Sequence, residues 1–203
     1  MNALAVAGAA ALLGGAGFAG AIIARRICER TAPLPDGPPA GRPSVVLLTA
    51  CACLAGLVEG LRGAGVPELT LATLLAWALA GIWYSDVRRG IVPDVFTLAP
   101  LALIFAGAAV LHQWGTFASA GIVFVPFAAA ALASRGLGMG WGDVKLVALG
   151  GAVLGWDTAV LAFGSACAVA VIVALARKRR HEPLAFAPYL VAAIALPLGI
   201  GLR

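Results

Sequence analysis

The stretch Leu69-Thr70-Leu71-Ala72-Thr73-Leu74-Leu75-Ala76-Trp77-Ala78-Leu79-Ala80-Gly81-Ile82-Trp83-Tyr84-Ser85-Asp86-Val87-Arg88-Arg89 is apolar along most of its length. It then ends in a carboxylate and two guanidinium groups. A helix needs roughly 17–25 such residues to cross the hydrocarbon of a bilayer. Lipid offers no partner for a free backbone group, so a spanning run of this kind must be helical. The stretch therefore reads as a membrane helix with an aspartate at its polar end.

The same reading extends in both directions. Comparable runs occupy Ala3–Ala24, Val45–Leu61, Leu69–Ser85, Phe96–Leu111, Phe117–Ala133, Val144–Trp156, Ala159–Ala176 and Ala185–Leu202. The sixth is short and glycine-rich. Of the 203 residues, 62% are hydrophobic and only 11% are charged. A soluble domain of this size could not bury so much apolar surface. The expected fold is all-α, a polytopic membrane bundle of about eight helices. Its abundant Gly and Ala suit close helix packing in lipid. In the first run Arg25 and Arg26 follow the apolar stretch instead of preceding it, so it reads as a retained anchor and not as a cleaved signal.

Assigning the loops alternately to two sides sorts the basic residues. One side receives Arg25, Arg26, Arg30, Arg42, Arg88, Arg89, Arg135, Lys145, Arg177, Lys178, Arg179 and Arg180, and the other Arg62 and Arg203. The positive-inside rule makes the first side cytoplasmic and places both termini outside. The net charge of +5 is thereby accounted for by membrane orientation, and no nucleic-acid partner is expected. The chain reads as one integral membrane domain, 1–203. Within it, 1–62 form an N-terminal helix pair with a short Pro-rich cytoplasmic loop, and 69–203 form a core. Cys28, Cys51, Cys53 and Cys167 form no CxxC pair and read as small apolar residues among helices.

Two aspartates fall on the cytoplasmic side at span boundaries: Asp86, and Asp143 in Gly140-Trp141-Gly142-Asp143-Val144-Lys145. Carboxylates at such positions are costly and point to function. Gly140 and Gly142 permit close backbone approach before a helix, and the dipole at that helix start favours a negative charge. Lys145 is placed either to tune Asp143 electrostatically or to snorkel to the interface. Two carboxylates brought together hold one proton between them. The ionised member can take a proton from water while the protonated one hydrogen-bonds a scissile carbonyl. Asp94 reads as a turn residue after Pro93. Glu59, Glu68, His112 and Asp157 read as interfacial groups of the outer face, and Trp83, Trp114, Trp141 and Trp156 as an aromatic belt.

Three stretches resemble the type IV prepilin peptidases, membrane aspartic proteases of the GxGD type. They are Asp86-Val87-Arg88-Arg89-Gly90-Ile91-Val92-Pro93-Asp94, Gly138-Met139-Gly140-Trp141-Gly142-Asp143-Val144-Lys145-Leu146, and Glu182-Pro183-Leu184-Ala185-Phe186-Ala187-Pro188-Tyr189. In the third, alanine stands where the family has glycine. The resemblance implies an endopeptidase of the cytoplasmic (inner) membrane with Asp86 and Asp143 as its catalytic pair. It would remove a short basic leader from prepilins or pseudopilins at the cytoplasmic face. Longer members carry a cytoplasmic domain with two CxxC pairs that is similar to a zinc site. Neither pair occurs in this sequence, so no metal or other cofactor is expected, nor the N-methylation those members add. Oligomeric state is not legible. The principal rival is a small transporter or channel using the two aspartates as a proton or cation site. Others are a catalytically silent assembly factor and a presenilin-like protease cutting within spans.

Overall fold

The computed structural model describes residues 3–31, 42–134, 139–176 and 185–200. The basic stretch Arg177–Pro183, Gly138, the first residues of the Glu182–Tyr189 motif and most of the Pro-rich loop lie outside them. Among the described residues there are eight helices and no strand: α1 (Ala3–Arg30), α2 (Val45–Leu61), α3 (Val66–Arg89), α4 (Asp94–Val110), α5 (Trp114–Ala133), α6 (Trp141–Leu154), α7 (Trp156–Ala176) and α8 (Ala187–Ile200). Each expected span coincides with one of them. Four (α1, α3, α5 and α7) are long and apolar enough to cross a membrane; α2, α4 and most of α8 are apolar but shorter. Large side chains point outward without cover, as Leu4 (80% exposed), Val46 (79%) and Leu161 (76%) illustrate. Such surface is tolerable against lipid and not against water. The chain is an all-α polytopic membrane protein.

Two helices run past the C-terminal ends of their apolar stretches. α1 continues past Ala24 to Arg30, and within its basic end Arg25 Nε bonds Glu29 Oε1 at 2.9 Å, one helical turn on. α3 begins at Gly65, whose N–H is accepted by Glu68 Oε2 at 2.8 Å, and has Pro67 in its first turn. It extends through Asp86 to Arg89 and stops at Gly90, which takes the left-handed conformation (φ 67°). A residue without Cβ adopts that angle without strain, which is why the helix ends there.

The chain divides into two compact units, Met1–Ile91 and Val92–Arg203. In the first, α1 packs along both α2 and α3. The contact is backbone to backbone: a Cβ on Gly20 would strike the Trp77 carbonyl, and one on Gly56 the Ala9 carbonyl. Glu59, on α2 between Gly56 and Gly60, is 8% exposed and so buried, not interfacial as its place near a helix end suggested.

In the second unit α6 touches α4, α5, α7 and α8. Val144, Leu146, Val147 and Leu149 are fully enclosed, and Gly150 and Gly151 lie against Phe163 with Ile194 and against Val123 respectively. A helix apolar on every side is a buried one. This explains why the shortest apolar run is also rich in glycine: its neighbours occupy the space side chains would need.

Candidate active site

Asp86 stands in the last turn of α3 and is 5% exposed. Its carbonyl accepts the Gly90 N–H at 2.7 Å, closing the helix. Ser85 beside it is fully buried and donates its hydroxyl to Gly81 O at 2.9 Å. A buried carboxylate at the negative end of a helix dipole is poorly placed for stability. Arg88 and Arg89 are the stabilising charges of that turn, so a different reason is needed for the aspartate.

Asp143 occupies the first turn of α6, ahead of the expected span that begins at Val144. Gly140 is the N-cap, in extended conformation, and its carbonyl accepts the Asp143 N–H at 3.1 Å. The carboxylate is half-buried. Burial pushes its pKa up to about 6, against the opposing pull of a backbone hydrogen bond from Gly140. A carboxyl in this range exchanges its proton near neutral pH, as a general acid or base must.

Around Asp143 the two aspartate motifs touch each other. A Cβ on Gly142 would lie 2.6 Å from Val92 Cβ, so the second glycine of the GxGD run is the gap into which Val92 fits. Gly140 is not under the same pressure: a Cβ there would make ordinary contact, 3.7 Å from Asp143 Oδ2. Neither glycine takes a positive φ. One turn beyond, Lys145 Nζ bonds Asp94 Oδ1 at 2.6 Å. Asp94 is the first residue of α4, with Pro93 as its N-cap, and its carboxylate faces the favourable end of that helix dipole. Val92 and Asp94, the tail of the first motif, are thus fastened to the head of α6.

Lys145 therefore has a specific partner, which the sequence reading did not supply, and Asp94 is a helix-start residue. The signal available was Pro93 followed directly by an acid, a common way to begin a helix. Asp86 belongs to the first compact unit and Asp143 to the second. Among the described residues no three His, Cys, Asp or Glu side chains are grouped to hold a metal. Trp114, Trp141 and Trp156 open α5, α6 and α7 and are all exposed.

The type IV leader peptidase family matches residues 73–175, a segment that includes Asp86, Asp94, Asp143 and Lys145. The chain belongs to that family. Among similar proteins is the prepilin leader peptidase/N-methyltransferase of Burkholderia pseudomallei (strain 1026b), 37% identical over 143 residues, covering 63% of this chain and 45% of that protein. The protein of the same name from Aeromonas hydrophila is 31% identical over 167 residues, 74% of this chain and 55% of its own. That of Escherichia coli (strain K12) is 30% identical over 125 residues, 56% of each. This leader peptidase family member thus aligns over about half the length of these relatives. No solved structure matches it.

Proposed function

We propose that the chain is an aspartic endopeptidase that removes the leader from type IV prepilins or pseudopilins, with Asp86 and Asp143 as its carboxylate pair. The observation that carries this reading is that the family segment 73–175 encloses two aspartates, each in the terminal turn of a helix and not in mid-span. One carboxylate, ionised, takes a proton from water as the water attacks the scissile carbonyl. The other, protonated, donates a hydrogen bond to the carbonyl oxygen and so stabilises the developing charge. Asp143, with a pKa near 6, suits a pair that shares a proton at neutral pH.

The bias of basic residues supports a site on the cytoplasmic face of the inner membrane, with both termini outside. A prepilin would lie with its hydrophobic helix in the bilayer and its basic leader at that face. The supporting parts are Gly142, which admits Val92, and Lys145, which holds Asp94. The relatives are named for N-methyltransferase as well as peptidase; the absence of CxxC pairs from this sequence favours peptidase activity alone. The transporter reading requires carboxylates near mid-membrane, which the terminal turns of α3 and α6 do not favour.

Co-expression with a prepilin tests the proposal. Wild type is expected to shorten the prepilin, while Asp86→Asn and Asp143→Asn, at normal membrane levels, leave it uncut. Cleavage surviving in either variant would overturn the aspartic pair.

A further inference from the structure

At the polar ends of α1 and α3, within the first compact unit, lies a pocket of about 180 Å³ lined by Arg25, Cys28, Glu29, Tyr84, Arg88 and Arg89. Of these, Cys28 (2% exposed) and Tyr84 (7%) are buried. Three arginines face one glutamate, and that glutamate is already paired with Arg25 at 2.9 Å. Arg88 and Arg89 thus bring two positive charges that Glu29 does not offset. The Nε of Arg89 is buried and has no hydrogen-bond partner among the described residues. A buried donor left unmet calls for an explanation, and a bound anion is one that fits an arginine-lined pocket. Asp86 is not part of the lining.

We propose that this pocket binds a phosphate group, offered either by an anionic phospholipid headgroup or by free phosphate. Guanidinium groups hold phosphate through paired, charge-assisted hydrogen bonds, which ammonium groups do not reproduce. The position favours the lipid source. α1 and α3 are both long enough to span the bilayer, and the pocket sits where each passes from apolar to charged residues. Headgroups lie at that depth, and clustered Lys or Arg beside a span attracts anionic lipid. The pocket is too small for a folded partner and suits a headgroup of few atoms. The inference goes beyond the peptidase reading and stands whether or not that reading holds, since its test measures binding and not cleavage.

The full chain, purified and delipidated in a neutral detergent, would be titrated with short-chain phosphatidylglycerol, short-chain phosphatidylcholine and inorganic phosphate, with bound lipid counted by native mass spectrometry and phosphate binding read by calorimetry. The double variant Arg88→Gln/Arg89→Gln removes the unpaired charges; Arg26→Gln/Arg30→Gln removes two neighbouring arginines that do not line the pocket. Wild type is expected to prefer phosphatidylglycerol over phosphatidylcholine, and the pocket variant to lose that preference by about tenfold. The control variant is expected to keep it. Inorganic phosphate binding with the same dependence on Arg88 and Arg89, and no preference between lipids, would identify free phosphate as the source. Arg89→Lys keeps the charge and the fold, and is expected to weaken binding because it loses the planar fork. Anionic-ligand binding that is absent, equal in wild type and the pocket variant, or lost equally in the control would overturn the site.

Discussion

Lys145 Nζ and Asp94 Oδ1 stand 2.6 Å apart, joining the N-terminal part of α6 to the first residue of α4 across 51 positions of sequence. The lysine side chain is 30% exposed and the aspartate 60%. An ion pair this open contributes about 1 kcal/mol or less to stability. Its value lies in position, because α6 also carries Asp143. Lys145→Met and Asp94→Asn are each expected to slow prepilin cleavage several-fold without abolishing it. The double variant is expected to be no slower than the worse single one, a non-additivity that a double-mutant cycle on cleavage rates reads directly. Rates that simply multiply would show that the two residues act separately.

Gly142→Ala puts a methyl group 2.6 Å from Val92 Cβ. Overpacking of this kind typically costs about 1–3 kcal/mol. The variant is expected to melt earlier and to cleave poorly. Val92→Gly introduced alongside it is expected to restore much of both losses by removing that Cβ together with the γ-methyl groups at 3.1 and 3.4 Å. Thermal melting and cleavage measured on all four proteins separate this fit from a general intolerance at position 142.

The raised pKa of Asp143 has a sign. Its folded value, about 6, lies above the ordinary 3.8, so the folded chain holds this proton more tightly than the unfolded one. The stability this group withholds when ionised is regained as pH falls from about 6 toward 4 and is missing in full above about 6, amounting to a few kcal/mol at most. Asp143→Asn is expected to raise the melting temperature at pH 7 and to flatten its dependence on pH between 4 and 7. A variant that melts lower than wild type at pH 7 would contradict this account.

Gly90 ends α3 with φ 67°. Gly90→Ala forces a Cβ into the left-handed region and is expected to cost about 1 kcal/mol, while Gly90→Asn costs less. The melting temperatures of the two variants, compared at one pH, give the ranking.

Much of the fold was legible because hydropathy and helix boundaries coincide where a cap sits at the membrane edge. For α2 the apolar run and the helix have the same limits, with Ser44 capping the start through its hydroxyl at 3.2 Å from Leu47 N. They part company in α1 and α3. Hydropathy marks where a side chain would leave lipid, whereas the backbone continues its hydrogen bonds through Arg30 and Arg89 until a glycine or a change of direction stops it. The aspartates were conspicuous because charge is rare in the chain. The Asp94–Lys145 pair was not, since one sequence carries no sign of which distant residues meet. The burial of Glu59 was hidden for the same reason: on α2 it lies between Gly56 and Gly60, both of which come close to the α1 backbone.

The burial of α6 on every side bears on how the chain enters the membrane. At 14 residues the helix is about 21 Å long, short of the roughly 30 Å of hydrocarbon, and it brings Asp143 and Lys145 with it. An insertion machinery that tests segments one at a time would find it a poor candidate for release into lipid. Its surroundings are α4 and α5, made before it, and α7 and α8, made after. The carrier of Asp143 therefore reaches its place through the company of later helices, and a chain interrupted after Gly155 would present α6 with half of its binding partners missing.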